Sequence, residues 1–166
     1  MRIYTLGTHH RPKFEFTRIL AKYGIQVIFD LRRVPESRDE HFNRDRLQEL
    51  CDSHNISYVY LGNELGGPRQ TGHRAWIESE PFQRWLGIIR SKTEKRVCCL
   101  LCAERSPERC HRRTLADELA RDGIEVFHIL EEDRFWEPRP RTASRPRRGP
   151  RRPGPRNRRR EGRPRR

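Results

Sequence analysis

The sequence predicts an α/β domain with a mainly parallel sheet, because strand-like and helix-like segments alternate along the chain. Five short β-prone segments are separated by amphipathic helical segments in the order βαβαβαβαβ. Two strand segments, 27–29 and 97–102, are continuous apolar runs, as in parallel strands buried on both faces. We therefore expect about five mostly parallel strands with helices on both faces of the sheet.

Apolar spacing and boundary residues place each element. Strands are expected at 3–7, 27–29, 58–61, 97–102 and 125–129. The first helix is expected to run from Phe14 to Tyr23 before Gly24, and the second begins after Asn43 as its N-cap. Pro81 opens the third helix, and Ser106-Pro107 opens the fourth, which stops at Asp122-Gly123.

Positive charge is concentrated at the carboxyl-terminal end of the 166-residue chain. The net charge is +14, and residues 138–166 carry 14 Arg, no Lys and one acid. That segment also holds 7 of the 12 Pro and only one hydrophobic residue, so it cannot bury a core. We expect one globular domain over residues 1–137 and a disordered basic tail over residues 138–166. Two domains and a wholly disordered protein are excluded.

The tail indicates a polyanionic partner. A flexible polycation binds phosphates through the release of condensed counterions, which favours nucleic acid and RNA in particular. An acidic protein surface, an anionic membrane surface or a basic tail without function are the alternatives.

Cysteine usage and the amino-terminal segment predict a cytoplasmic protein. The longest apolar run, 97–103, is far shorter than the roughly 20 residues that span a bilayer. The start of the chain has no apolar stretch typical of a secretory signal. Five cysteines are an odd number, and three of them crowd one predicted strand, which favours reduced thiols over a disulfide framework.

Polar side chains follow the predicted strands where each strand ends. They lie in the segments 8–10, 30–38, 62–69 and 102–113. Because ligands of open α/β sheets bind outside the carboxyl ends of the strands, we expect one ligand pocket at this edge.

Several of these segments resemble a known family. The motifs DLRRVPESR, FNRDRL, LGGPR and CAERSPERCHRRTLA resemble the Domain of Unknown Function 488 family, and the resemblance covers nearly all of residues 3–131. It implies a small cytoplasmic α/β domain and no established activity. The Arg-rich tail lies outside it.

The predicted pocket combines acid–base or nucleophilic groups with cationic and glycine positions. The candidate catalytic residues are Asp30, Glu104, Cys110 and His111, and the candidate ligand-binding residues are Arg32, Ser37, Arg38, Gly66, Gly67, Arg69 and Arg112. Arginine suits bidentate recognition of phosphate or carboxylate, and the glycines let a backbone approach a ligand closely. The alternatives are an Asp30–Arg32 network that fixes the loop, and an ordinary Gly-Gly-Pro turn.

Cys110 is a candidate nucleophile or redox thiol. A helix opening at Ser106-Pro107 places it in the first turns, where the helix dipole and neighbouring arginines favour a thiolate. His111 or Glu104 would then handle the proton. Alternatively, Cys110 is a small buried residue, Glu104 pairs with Arg112 to hold the loop, and His111 is a hydrogen-bonding scaffold.

A zinc site formed by Cys99, Cys102, Cys110 and His111 is not expected. Two residues three apart on an extended strand point to opposite faces, whereas a zinc knuckle needs a turn between its cysteines. No metal or other cofactor is therefore expected.

Three functions remain open. The first is an enzyme acting on a nucleotide or nucleic acid through the phosphate-binding pocket. The second is a thiol enzyme of sulfurtransferase or redox type that uses Cys110, with Cys102 as its partner. The third is a non-catalytic nucleic-acid-binding module.

Overall fold

A computed structural model describes residues 1–67, 72–108 and 110–137. Arg69 and the segment 138–166 lie outside the described residues, so the expectations for both stay predictions. Within the described residues, no helix is both long and apolar enough to cross a bilayer.

The structure confirms the α/β class with a six-stranded sheet. The strands are β1 (Arg2–Gly7), β2 (Val27–Asp30), β3 (Ser57–Tyr60), β4 (Cys98–Cys102), β5 (Glu125–Glu131) and β6 (Arg134–Trp136). They lie in the order β3-β2-β4-β1-β5-β6. The first five are parallel, and β6 pairs antiparallel with β5. The carboxyl ends of the five parallel strands therefore meet at one edge.

Within the part of the chain that the structure describes, six α-helices connect the strands. They are α1 (Lys13–Lys22), α2 (Arg44–Ser53), α3 (Gly62–Leu65), α4 (Gly72–Ile77), α5 (Glu80–Thr93) and α6 (Arg112–Arg121), with a 3-10 turn at Glu40–Phe42 before α2. Ser79 caps α5 by accepting a hydrogen bond from the backbone N–H of Phe82, and Pro81 lies in the first turn as expected.

Strand β4 shows why the buried strands lack polar alternation. Cys98 and Leu100 pack into the core beneath α5 and α6, whereas Cys99 and Leu101 pack into the core beneath α1 and α2. Successive strand residues point to opposite faces, so a strand covered by helices on both sides is apolar throughout. The sheet therefore has two cores, one on each face.

Helix α6 begins at Arg112, later than the predicted start at Ser106-Pro107, so that prediction was wrong. The residues before it form a turn in which the Cys110 N–H donates to the Pro107 carbonyl at 3.1 Å. The carbonyls of Glu104 and Arg105 accept hydrogen bonds from the Arg112 guanidinium. Arg112 thereby ties the residues just after β4 to the start of α6. We call residues 103–108, 110 and 111, which the structure describes, the β4–α6 loop.

A glycine at the end of β1 lets the β4–α6 loop approach the sheet. A Cβ at Gly7 would lie 2.1 Å from the carbonyl oxygen of Glu104, a backbone atom that cannot move independently. The loop is consequently held directly against the carboxyl edge of the sheet.

Candidate functional site

Two thiols and an imidazole converge at the carboxyl edge of the sheet. Cys102 is the last residue of β4, Cys110 lies at the end of the β4–α6 loop, and His111 is the N-cap of α6. Taking one sulfur or ring nitrogen from each, the three atoms lie within 4.8 Å of one another. We call these three residues the thiol–histidine cluster. They are also a set of side chains that can hold a metal ion.

A backbone hydrogen bond orients the ring of His111. Its Nε2 lies 3.0 Å from the carbonyl oxygen of Leu31, which follows β2. A carbonyl only accepts, so Nε2 carries the hydrogen, and Nδ1 of the neutral ring has a free lone pair. The Cys102 sulfur lies 3.9 Å from Nδ1 and 3.7 Å from Nε2.

Gly67 leaves one face of the His111 ring uncovered. Its φ of +101° belongs to the region that favours glycine, and a Cβ there would lie 3.5 Å from Cβ and Cγ of His111 and 3.7 Å from Nδ1. A side chain at this position would therefore crowd the nitrogen that has the free lone pair.

The two thiols of the cluster have opposite pKa shifts. A hydrogen bond from Cys110 lowers the pKa of Cys102 to about 7 against the effect of burial, helped by the positive charge of Arg112 and by the N–H groups of Ala103 and Glu104. The same hydrogen bond to Cys102 raises the pKa of Cys110, and burial adds to the increase. The low pKa expected of Cys110 therefore belongs to Cys102, because Cys110 donates the hydrogen bond and the Cys102 sulfur accepts it.

The remaining cysteines have no such environment. Burial raises the pKa of Cys51 to about 12 and also raises the pKa values of Cys98 and Cys99. Cys99 packs on the face of the sheet beneath α1 and α2, so it does not join Cys102. The argument against Cys99 as a metal ligand holds, but Cys110 takes the place beside Cys102.

A cleft of about 590 Å³ opens beside the cluster. Its lining consists of Arg33, Gly66, Gly67, His73, Glu108, Cys110, His111 and Thr114. Cys110 and His111 thus belong both to the cluster and to the cleft wall. The structure brings together the predicted Gly66, Gly67, Cys110 and His111 at this place.

Asp30 and Arg32 form an internal network away from the cleft. Both side chains are buried, and the Arg32 guanidinium donates to both carboxylate oxygens of Asp30 at 2.7–3.1 Å and to the Phe42 carbonyl at 2.7 Å. The Tyr58 hydroxyl donates to the same carboxylate at 2.7 Å. These contacts favour the structural alternative, in which the pair fixes the loop after β2.

The other residues predicted from that loop lie near its surface. The Ser37 N–H donates to the Asn43 side-chain oxygen at 2.8 Å, and its hydroxyl accepts from the Asp39 N–H at 3.2 Å. Asn43 is the N-cap residue of α2, but its side chain makes no capping hydrogen bond to the helix and instead accepts one from the loop. Arg38 is exposed in the same loop. Neither Ser37 nor Arg38 belongs to the cleft lining.

Arg112 is buried and bonded within the protein. Its Nε donates to the Thr5 hydroxyl at 3.3 Å, and its two terminal nitrogens donate to the carbonyls of Glu104 and Arg105. The carboxylate of Glu104 is exposed, so it is the backbone of Glu104 that Arg112 holds. These contacts give Arg112 a positioning role for the β4–α6 loop.

Sequence reasoning missed Thr5, His128, Arg33 and His73. The Thr5 hydroxyl joins Arg112 to Nδ1 of buried His128, 2.7 Å away, and burial together with Arg112 and Arg113 lowers the pKa of His128 to about 3. The register of β1 against β5 pairs Thr5 with His128, which strand patterns alone do not give. The sequence did offer an indication for Arg33, because it follows Arg32 directly after a predicted strand, where ligand-binding residues are expected.

One family model matches the chain. A family model described as "Domain of unknown function DUF488" matches residues 14–119, from the start of α1 into α6. The chain belongs to the DUF488 family. The matched region of this DUF488 chain contains the whole thiol–histidine cluster, and the description assigns no activity. No curated protein and no solved structure matches the chain.

Proposed function

We propose that this DUF488 protein is a cytoplasmic thiol enzyme of sulfurtransferase type that acts on an anionic sulfur donor. The observation that carries the proposal is the convergence of Cys102, Cys110 and His111 at the wall of the cleft. Paired thiols beside an imidazole provide a nucleophile and proton acceptors within contact distance.

Access assigns the roles of the two sulfurs. Cys110 lines the cleft, whereas Cys102 lies behind it and accepts its hydrogen bond. The Cys110 sulfur attacks the outer sulfur of a donor such as thiosulfate, sulfite leaves with the bonding electron pair, and Cys110 becomes a persulfide. Cys102, whose pKa is the lower of the two, acts as the thiolate that accepts the Cys110 proton, and His111 Nδ1 is a second acceptor because its Nε2–H is already committed to Leu31.

Charge in the cleft supports an anionic substrate. Arg33 supplies a cation, His73 adds an imidazole, and Glu108 is the acidic side chain among the lining residues that the structure describes. The Arg33 guanidinium donates to the Gly67 carbonyl at 3.1 Å, which holds it at the rim of the cleft. A guanidinium group can donate two parallel hydrogen bonds to two oxygens of one anion. A phosphate-bearing ligand fits the same features.

The test is persulfide formation by the full chain. After incubation with thiosulfate, we expect the intact mass to increase by one sulfur atom, located at Cys110 by peptide mapping. Cys110→Ala should not gain this mass, whereas the control Cys51→Ala, which removes a core cysteine, should gain it normally. A folded Cys110→Ala protein that gains sulfur at the wild-type rate would refute the proposal.

Nucleic-acid binding by residues 138–166 is a second proposal. Its support is the presence of 14 Arg within this segment of the sequence. Each neutralised phosphate adds about 0.9 to the magnitude of the salt slope on duplex DNA. In this second proposal, residues 138–166 bring nucleic acid near the domain. This binding does not depend on the thiol chemistry.

A further inference from the structure

We infer that the thiol–histidine cluster binds one soft or borderline divalent metal ion, such as Zn²⁺. The ligands are Cys102, Cys110 and His111. The site uses the same three side chains as the proposed enzyme but does not require its chemistry. A bound ion would occupy both sulfurs, so metal binding and persulfide formation belong to alternative states of the protein.

The donor set matches a soft or borderline ion. Thiolate and imidazole are the ligands that zinc prefers in proteins, and two cysteines with one histidine form a known three-ligand catalytic arrangement. Hard ions such as Mg²⁺ and Ca²⁺ select oxygen ligands instead. The described part of the cluster offers sulfur and nitrogen only.

The distances require small movements. Tetrahedral zinc with bonds of about 2.3 Å to sulfur and about 2.0 Å to nitrogen separates two sulfurs by about 3.8 Å and a sulfur from a nitrogen by about 3.5 Å. The Cys102 sulfur lies 3.9 Å from His111 Nδ1, and all three donor atoms lie within 4.8 Å of one another. Closing the longest of these separations moves a donor atom by about 1 Å, which corresponds to side-chain rotations of some tens of degrees.

The outer contacts of His111 are an independent observation that points to a metal ligand. Histidines that bind metals almost always donate their other ring N–H to a carbonyl, carboxylate or water, which fixes the ring and the tautomer. The Nε2–H of His111 makes this contact with the Leu31 carbonyl at 3.0 Å. Nδ1 keeps its in-plane lone pair, and the absence of a side chain at Gly67 keeps this end of the ring uncrowded.

The surroundings hold the two sulfurs close together and leave one coordination position open. Arg112 is buried near the cluster and holds the β4–α6 loop, so Cys110 is kept near Cys102. Cys110 and His111 line the cleft, and a fourth ligand, water or an anionic molecule, enters from there. This arrangement matches a catalytic more than a closed structural site.

The experiment titrates the full reduced chain with Co²⁺, a spectroscopic substitute for Zn²⁺, and then displaces Co²⁺ with Zn²⁺. We expect one ion per chain, sulfur-to-cobalt charge-transfer absorption and the intense visible bands of four-coordinate cobalt. Cys110→Ala should lose part of the charge-transfer intensity, and both Cys110→Ala and His111→Ala should weaken binding at least about tenfold, the lower end of what even outer-shell changes cost. Cys51→Ala should bind as the wild type does.

A histidine pair elsewhere is the adventitious site to exclude. The rings of His9 and His10 lie with their centroids 4.0 Å apart. If the stoichiometry survives in Cys110→Ala and disappears in the His9→Ala, His10→Ala double variant, the inference is overturned. The absence of any cobalt–sulfur band in the reduced wild type overturns it as well.

Persulfide formation measured with a chelator and with Zn²⁺ separates the two proposals. Sulfur transfer in chelator without any metal binding would leave the enzyme proposal and remove the metal site. One zinc per chain at Cys102, Cys110 and His111, without sulfur transfer in chelator, would support the metal site and refute the enzyme proposal. If both hold, we expect zinc to suppress persulfide formation in proportion to occupancy.

Discussion

Arg32→Ala is expected to lower the free energy of unfolding by about 3–5 kcal/mol, the cost of breaking a buried ion pair by removing one partner. The variant leaves the Asp30 carboxylate fully buried, with the Tyr58 hydroxyl as the one remaining side-chain donor among its described contacts. It also removes the donor to the Phe42 carbonyl. Urea denaturation followed by circular dichroism measures the change.

The matched control for Arg32→Ala is Arg46→Ala. Arg46 also pairs with a carboxylate, that of Glu49 at 3.0 Å, but both side chains are more than 60% exposed. Exposed pairs contribute about 0–1 kcal/mol, so the control should unfold close to the wild type. Equal losses in the two variants would contradict the structural role of the Asp30–Arg32 network.

Arg112→Ala is expected to lower stability by about 2–4 kcal/mol and to abolish persulfide formation. The substitution removes the donors for the Glu104 and Arg105 carbonyls and one donor to Thr5, and each buried polar group left unpaired costs about 1–3 kcal/mol. Without these contacts the β4–α6 loop no longer holds Cys110 against Cys102. Denaturation and the sulfur-transfer assay are measured on the same preparation.

Arg113→Ala controls for the loss of a neighbouring positive charge. Arg113 pairs with Asp117 at 3.6 Å on the half-exposed side of α6. Its removal should cost less than about 1 kcal/mol and leave sulfur transfer intact. Arg112→Lys should restore only part of the function, because one ammonium does not reproduce a planar fork directed at three acceptors. An Arg112→Ala protein with normal stability and sulfur transfer would contradict the positioning role.

The fold was predictable because the apolar pattern reports burial. The uninterrupted run Val97–Ala103 predicts a strand, and every residue of β4 is buried. The edge that carries the site followed from the same pattern, since parallel strands end together. The short strand β6 was missed, because three residues with a partly exposed pattern resemble a loop.

The assignment of individual side chains was not predictable, because it depends on which way each one turns. Arg32 and Arg33 are adjacent, yet Arg32 is buried against Asp30 and Arg33 lies at the cleft. Arg112 is of the residue type that often binds phosphate, but here its guanidinium donates to backbone carbonyls. These differences arise from tertiary contacts between segments far apart in the chain.

The partnership of Cys102 with Cys110 depended on the β4–α6 loop. A helix starting at Ser106-Pro107 would have placed Cys110 within the helix, and sequence spacing gives no indication that Arg112 folds the preceding segment back. The expectation that Cys102 is the partner of Cys110 came from their places at the carboxyl edge of the sheet, whereas Cys99 lies in the other core because side chains alternate along β4. A pair formed by a strand end and a loop has no periodic signature.

The rate of alkylation of each of the five cysteines tests the reactive thiol centre most directly. The full reduced chain is treated with iodoacetamide at neutral pH, and the modified positions are followed over time by peptide mass mapping. The pair Cys102 and Cys110 should be modified first, because Cys110 lines the cleft and the low pKa of Cys102 supplies a thiolate beside it, whereas Cys51, Cys98 and Cys99 should stay protected until the protein unfolds. Modification of both Cys102 and Cys110 no faster than that of Cys99 would contradict a reactive centre at this edge of the sheet.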